Sequence, residues 1–180
     1  MDRGHEIEGL MTVAQLMCVA ARTAPKARGT DLLVTSILAG EDKSRVSAKM
    51  REIGNTTKKD LFLRDADNLD AAPAAVLLGT RLEPIGLDFY CNMCQHGSCQ
   101  QTRETGRVCV FNSHDLGLAV GSAVSVAARH HIDCRIMYTV GIAARDLLLL
   151  GKDIRIVMGI PLSVTGKNIF FDRGKKQEKK

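Results

Sequence analysis

The sequence is poor in aromatic residues: it has no tryptophan, two tyrosines and five phenylalanines among 180 residues. The core must therefore be aliphatic, and hydrophobic residues make up 45% of the chain, a globular value. A chain of this length is typically one domain, or one domain with an insertion. We predict a single domain over residues 1–173, with an insertion at about 87–110 and a basic, disordered tail at 174–180.

Long hydrophobic runs are also missing. The most apolar helical stretch, residues 116–128, is shorter than the about 20 residues that a transmembrane helix needs. The opening segment MDRGHEIEGL is polar and charged, unlike the apolar centre of a secretory signal. We therefore expect a cytoplasmic protein without a membrane partner, in a compartment that keeps thiols reduced.

Several catalytic and binding signatures are absent as well. No Ser–His–Asp grouping, paired-carboxylate motif or glycine-rich phosphate loop stands out in the sequence. The net charge of +5 is concentrated in the terminal GKKQEKK, which has four lysines and one glutamate. The remainder lacks the basic stripe with interleaved aromatic residues that is typical of nucleic-acid binding. We predict no nucleic-acid partner.

Cysteine, in contrast, is concentrated in one short segment, FYCNMCQHGSCQ. Cys91, Cys94 and Cys99 lie in this segment, and Cys109 follows. The short gaps let a turn direct the sulfurs toward one centre, and Gly97 has no side chain to obstruct the backbone. Four closely spaced thiolates are typical of iron–sulfur clusters. The spacing predicts a metal site with a [4Fe–4S] cluster. The alternatives are a [2Fe–2S] cluster, a structural zinc, and a disulfide pair or simple buried cysteines.

Three further residues with ligand chemistry are given other roles. His96 lies inside the cysteine segment, but four cysteines already complete a ligand set, so we expect a solvent-facing side chain. Cys18 lies on the first predicted helix and Cys134 begins a predicted strand. Since free cysteine behaves as a small hydrophobic residue, we expect both to be core residues.

Hydrophobic periodicity predicts helices that alternate with strands. Helices are expected at 5–24, 41–55, within 58–72, 111–133 and 142–151, and strands at 31–40, 74–82, 134–141 and 153–163. Asn112 or Ser113 is expected to cap the helix over 111–133. On that helix Gly117, Gly121 and Ser125 form a groove of small residues that would admit a neighbouring backbone or a flat ligand. This order of elements predicts an α/β or α+β domain.

The cysteine spacing resembles the small [4Fe–4S] domain found in corrinoid iron–sulfur proteins and certain electron-transfer subunits. Nearly the whole chain also resembles a family of uncharacterised bacterial and archaeal proteins described as containing a ferredoxin domain. The stretches that carry this second resemblance are AARTAPKARGTD, FNSHDLGLAVGSAV and DIRIVMGIPLSVTGKNIFFDR. The resemblance implies that Cys91, Cys94, Cys99 and Cys109 are the cluster ligands.

The order of elements resembles the nitroreductase fold. This implies an α+β domain with a mixed or antiparallel sheet flanked by helices and with the cysteine-rich iron–sulfur loop inserted. Proteins of that fold are usually homodimers that bind FMN at the subunit interface. The resemblance assigns the flavin phosphate to Arg22 and Lys26, with Arg28 and Lys167 as further candidates. The closely spaced arginines that usually open such proteins are reduced here to Arg3.

Together these patterns predict an iron–sulfur redox protein that binds one [4Fe–4S] cluster and transfers electrons. If FMN is bound as well, the protein is a flavin-dependent oxidoreductase in which cluster and flavin exchange electrons. The alternative is a non-catalytic protein whose iron–sulfur cluster or zinc ion staples a loop and so creates a surface for a partner.

Overall fold

The computed structural model describes residues 3–88 and 90–171, so the predicted basic tail at 174–180 lies outside the described residues. Four strands form one antiparallel sheet in the order β1-β2-β4-β3. The strands are β1 (Leu33–Leu38), β2 (Ala74–Arg81), β3 (Asp133–Cys134) and β4 (Ile154–Ser163). The helices are α1 (Gly4–Thr23), α2 (Gly40–Thr57), α3 (Asp60–Ala71), α4 (Cys99–Glu104), α5 (Val110–Arg129) and α6 (Tyr138–Asp146), with a 3₁₀ turn at Ala27–Gly29.

Strand β2 is the centre of the molecule. Its residues from Ala74 to Thr80 are all buried, and only Arg81 at its end is exposed. It pairs with β1 on one side and with β4 on the other. Because successive side chains of a strand point to opposite faces, β2 contributes to the hydrophobic core on both sides of the sheet.

Helices cover both faces of the sheet. Helices α1 and α5 pack against one face, in a core that includes Leu10, Met17 and Leu116. Helices α2, α3 and α6 cover the other face, in a core that includes Met50 and Leu69. The result is a three-layer arrangement in which the sheet is protected from water on both sides. None of the helices within residues 3–88 and 90–171 combines the length and the apolar character that crossing a membrane would require.

A buried polar contact joins two helices of the second layer. Asp65 of α3 is 3% exposed, and its carboxylate accepts a hydrogen bond of 2.7 Å from the fully buried Thr139 hydroxyl of α6. The guanidinium of Arg64 donates to the other carboxylate oxygen at 2.8 Å. A buried carboxylate is stable only when it has such partners, so this contact fixes how α3 meets α6.

The α+β architecture agrees with the prediction, but the predicted strand over 134–141 is wrong. Strand β3 ends at Cys134, and the chain enters helix α6 at Tyr138. Between them Met137 forms an isolated antiparallel bridge with Gly159 of β4. The β-rich composition of this segment is overridden because α6 packs directly on the backbone of β4, which is a tertiary contact.

The start of α5 also differs from the prediction. Its N-cap residue is Cys109, and neither Asn112 nor Ser113 caps it. The predicted irregular loop at about 87–110 contains one short helix, α4, whose N-cap is Ser98. The Ser98 hydroxyl accepts a hydrogen bond of 3.1 Å from the backbone N–H of Gln101.

The small residues of α5 face outward. Gly117, Gly121 and Ser125 are all exposed, and a Cβ atom added at either glycine would meet no atom within 4 Å. The buried face of α5 is formed instead by residues such as Leu116 and Ala123. No described part of this chain uses the groove of small residues, so its use by an external neighbour stays a prediction.

Gly141 gives a direct test of the packing between α6 and β4. An added Cβ would lie 1.9 Å from the carbonyl oxygen of Val157, which is backbone and cannot rotate away. We expect Gly141→Ala to lower the free energy of unfolding by about 2 kcal/mol or more, measured by urea denaturation. The exposed helical Gly9, with open space around it, is the matched control.

Gly9→Ala should leave stability unchanged or raise it by up to about 1 kcal/mol, because alanine loses less backbone entropy than glycine on forming a helix. Equal stability of the Gly141→Ala variant and the wild type would contradict the close contact between α6 and β4.

Candidate metal centre

The segment that carries the cysteines connects the end of β2 to the start of α5. The backbone carbonyls of its first residues accept hydrogen bonds from side chains in the body of the protein. The Arg28 guanidinium donates to the carbonyls of Ile85 and Gly86 at 3.0 and 3.1 Å. The Asn112 side-chain amide donates to the carbonyl of Glu83 at 2.9 Å. These bonds fix where the segment leaves the sheet and where it returns.

The central part of the segment is a sequence of tight turns. Gln95 and Gly97 both have positive φ, 55° and 77° respectively. A Cβ at Gly97 would lie 2.2 Å from Oε1 of Gln101, so the glycine also allows α4 to pack close to the turn. The Asp88 carboxylate accepts a hydrogen bond from the backbone N–H of Cys99, which ties the start of α4 to the entry of the segment.

All four predicted ligands, Cys91, Cys94, Cys99 and Cys109, line the same cavity. Cys109 is buried, and the other three are partly buried. The cavity also has apolar walls, which include Ile85, Leu87 and Phe111. The structure therefore brings the four cysteines to one place, as their spacing predicts, although they come from a loop, the start of α4 and the N-cap of α5.

The thiols interact with one another and with the backbone. The Val110 N–H donates to the sulfur of Cys94 at 3.1 Å. The pKa of the Cys94 thiol is raised, chiefly by burial; the Val110 N–H lowers it, whereas the nearby Cys109 and Cys91 thiols raise it. The thiols of Cys91 and Cys109 are thus close enough to Cys94 to affect its ionisation.

The four cysteines, as the structure places them, do not form a complete metal-binding site. Among the described residues, no three side chains of the His, Cys, Asp or Glu type are grouped closely enough to hold one ion. The cavity between the cysteines measures about 20 Å³, which is room for about one water molecule. The four thiols fit the ligand set of an iron–sulfur cluster, but the space enclosed between them is smaller than such a cluster. On the outer side of the loop, Tyr90 and Met93 are 94% and 63% exposed.

The position of α5 favours negative charge in this cavity. Cys109 is the N-cap of this 20-residue helix, whose unpaired N–H groups carry a partial positive charge. Thiolates are stabilised at such helix starts. The Val110 N–H, which donates to Cys94, belongs to this first turn. The site therefore has a fixed dipole that stabilises anionic sulfur ligands.

Cys18 and Cys134 lie away from the cavity of the predicted ligands, whereas His96 lines that cavity and is partly buried, not solvent-facing as expected. Cys18 and Cys134 pack against the core formed by α1, α5 and the sheet, as expected for small hydrophobic residues. Burial raises the pKa of both thiols, which makes them poor nucleophiles. The ring Nδ1 of His96, which lines the cavity, lies 3.0 Å from a guanidinium nitrogen of Arg107.

Arg22 and Lys26, the predicted flavin-phosphate residues, have partners within the chain. The Arg22 guanidinium donates to the carboxylate of Asp31 at 2.6 Å and to the carbonyl of Leu33 at 2.7 Å. The Lys26 ammonium donates to three carbonyls at the end of α1, of which the closest, that of Arg22, lies at 2.6 Å. Lys26 therefore caps the C-terminus of α1, where a cation is favourable.

The cavity beside Lys26 is small. Lys26 lines a cavity of about 10 Å³, whereas cofactor pockets typically measure roughly 300–1,000 Å³. The described chain by itself does not enclose a flavin at this position. Flavin binding by Arg22 and Lys26 stays a prediction. It would need a further protein surface to enclose the flavin, and both cations would have to exchange their present partners for the flavin phosphate.

Asn112 is the residue whose role sequence reasoning missed. Its side chain is 2% exposed; the amide nitrogen binds the carbonyl of Glu83, and Oδ1 has no hydrogen-bond partner in the described structure. On the same helix, the Asp115 carboxylate accepts a 3.0 Å hydrogen bond from the backbone N–H of Ala27. The position of Asn112 three residues after Cys109 is the signal that a sequence offers, but the capping preference of asparagine predicts a helix cap there instead.

Comparison with known proteins gives two results on relatives by sequence. A family model described as "Uncharacterized protein containing a ferredoxin domain" matches residues 105–173. Of the four predicted ligands only Cys109 lies within this match. An uncharacterized protein from Archaeoglobus fulgidus is 38% identical over 185 residues, which cover 98% of each chain.

The fold is similar to that of nitroreductases. Nitroreductase CinD from Lactococcus lactis in complex with nicotinic acid gives a TM-score of 0.61 at 11% identity, covering 93% of this chain and 81% of that one. The FMN-dependent nitroreductase NfnB from Mycobacterium smegmatis gives 0.56 at 11% identity, covering 89% and 81%. NfrA2 from B. megaterium gives 0.57 at 11% identity and covers 87% of this chain, which spans 58% of NfrA2. The domain therefore has a nitroreductase-like fold.

The anchoring role of Asn112 can be tested by truncation. We expect Asn112→Ala to lower the free energy of unfolding by about 1–2 kcal/mol, because the carbonyl of Glu83 loses its hydrogen bond in a partly buried place. Urea denaturation under oxygen-free conditions measures the change. Ser113→Ala, at the neighbouring exposed position, should change stability by less than about 0.5 kcal/mol. Equal effects of the two substitutions would show that Asn112 does not anchor the start of α5.

Proposed function

Because the chain belongs to the family of uncharacterized proteins containing a ferredoxin domain, we propose that it is an iron–sulfur redox protein that binds one [4Fe–4S] cluster. The single observation that supports this best is that Cys91, Cys94, Cys99 and Cys109 line one cavity at the N-terminus of α5. The proposed setting is a reducing cytoplasm, where thiols remain available as ligands.

The chain itself supplies three things to such a centre. Four thiols provide a complete ligand set. The start of α5 provides fixed N–H groups, one of which already donates to the sulfur of Cys94. The apolar walls formed by Ile85, Leu87 and Phe111 limit access of water from the side of the protein. A bound cluster supplies one-electron redox chemistry, whose potential depends on hydrogen bonds to sulfur and on solvent exposure.

The metal is identified by analysis of protein isolated without oxygen. A [4Fe–4S] protein should contain about four irons and four sulfides per chain. It should also be brown and lose visible absorption on reduction. One zinc per chain in a colourless protein would instead support the metal-stapled interaction protein. Iron and sulfide absent from such a preparation would overturn the proposal.

Flavin content is measured on the same preparation. The FMN-dependent neighbour shares only the fold, at 11% identity, and the predicted phosphate residues are occupied within this chain. Our proposal therefore rests on the cluster alone. Flavin released on denaturation at about one per chain would extend it to a flavin-dependent oxidoreductase, with the flavin at a subunit interface.

A homodimer is part of the proposal. The exposed Gly117, Gly121 and Ser125 on α5 offer a flat surface on which a second copy could pack closely. Light scattering after gel filtration gives the mass in solution, and a mass of one chain would exclude this arrangement.

Ligand substitution separates the predicted ligands from the core cysteines. We expect Cys94→Ser and Cys99→Ser to lose most of the bound iron, because the cluster loses one of four thiolates. Cys18→Ser and Cys134→Ser are matched controls that lie in the core and not at the cavity. They should keep the wild-type ratio of iron to protein. Undiminished iron in the Cys99→Ser variant would remove Cys99 from the ligand set.

A further inference from the structure

A second surface lies beside the cysteine segment. It is a groove of about 480 Å³, which we name the basic groove, and its cationic side chains are Arg81, Arg103, Lys152 and Arg155. Arg81 ends β2 and pairs with Ile154 of β4, so Arg155 is its close neighbour across the sheet. The only acidic side chains that line the groove are Glu83 and Asp153, so its lining has a net positive charge.

The cations of the basic groove have no partners in the described part of the chain. Most other arginines there bind a carboxylate, a carbonyl or a histidine, as Arg22, Arg51 and Arg107 do. Arg81, Arg103 and Arg155 are exposed, and their side chains form no hydrogen bond or ion pair with any described residue. The four cationic side chains of the groove outnumber its two acidic ones and form no ion pair with them, so the surface attracts an anionic partner.

The basic groove is adjacent to the cysteine site. Arg103 lies on α4, which begins at Cys99, so the two residues are separated by about one helical turn, roughly 6 Å along the helix axis. Gly106, which also lines the groove, lies in the connection that leads from α4 to Cys109. A partner seated in the groove would therefore lie next to the segment that carries the ligands.

The lining of the groove identifies the kind of partner. Among the residues that the structure describes, no aromatic side chain lines it, so these residues offer no platform for stacking a nicotinamide, an adenine or a nucleic-acid base. Small-molecule sites are mostly apolar, whereas here Leu82 is the only large apolar residue. Arginine guanidinium groups, however, match protein carboxylates in a two-pronged geometry. The chemistry fits an acidic protein surface.

We propose that the basic groove is the docking surface for a small acidic electron-carrier protein. This proposal rests on the proposed function, because the cluster gives an electron carrier its reason to bind at this place. Exposed charges of this kind chiefly raise the rate of association and make binding sensitive to salt. Binding is then strongest at low ionic strength.

The probe is an acidic plant-type ferredoxin, titrated into the iron-loaded protein by calorimetry. Binding should weaken as ionic strength rises from about 0.01 to about 0.15 M, over which the Debye length falls from roughly 30 to 8 Å. The double variant Arg103→Glu/Arg155→Glu should weaken binding about tenfold or more at low salt. The neutral Arg103→Gln/Arg155→Gln variant should lie between it and the wild type.

Arg129→Glu is the control for the change of charge. Arg129 is exposed, has no side-chain partner in the described structure, and lies roughly 28 Å along α5 from Val110. This single reversal should alter ferredoxin binding less than twofold. A double variant that binds as well as the wild type, or a wild type that does not bind the ferredoxin at low salt, would overturn the proposal. Tighter binding of ATP or duplex DNA than of ferredoxin, lost in the same double variant, would also overturn it.

Metal analysis of every sample separates this proposal from the proposed function. An iron-loaded protein that ignores the ferredoxin refutes the docking surface and leaves the cluster in place. A protein without iron that still binds ferredoxin through Arg103 and Arg155 supports the docking surface and refutes the cluster. Visible absorption of each variant confirms that the charge changes leave the cysteine site loaded.

Discussion

The burial of β2 is the constraint on which the rest of the structure depends. This strand pairs with another strand on each edge and is covered by helices on each face. Its residues from Ala74 to Thr80 are therefore all buried. Arg81, the last residue of β2, still pairs with Ile154 of β4 but is the first residue of the strand to be exposed. The cysteine segment starts just beyond it and returns at Cys109, so a rigid strand and a long helix define both ends of an otherwise irregular segment.

The candidate metal centre combines rigid and adaptable parts. Cys109 is held by the start of α5, which Asn112 anchors to the carbonyl of Glu83. Cys91 and Cys94 lie on a loop whose outer side faces solvent, next to the exposed Tyr90 and Met93. An inorganic cluster needs more room than the present cavity offers, and the loop is the side of the site that can supply it. At the helix start, the Val110 N–H is directed at the sulfur of Cys94.

The helices and strands followed the hydrophobic pattern wherever local sequence and burial agree. The apolar run in β2 and the periodic pattern of α2 are examples, because a strand buried on both faces or a helix with one buried face leaves a clear signature. The segment 134–141 has a β-rich composition, but only Cys134 belongs to a strand and its last four residues form the first turn of α6. There the close contact between Gly141 and the backbone of Val157 decides the outcome, and that contact joins residues distant in sequence.

The sequence by itself determined the close spacing of four cysteines, the aliphatic composition of the core and the restriction to an α/β or α+β domain, because spacing, composition and periodicity are local properties. Only the tertiary structure decided that Arg22 and Lys26 are occupied by partners within the chain, that Asn112 anchors α5, and that cations from β2, α4 and β4 share one groove. Each of these depends on which distant segments meet. Contacts between distant segments leave no periodic trace in a single sequence, since they are set by how the helices pack on the sheet.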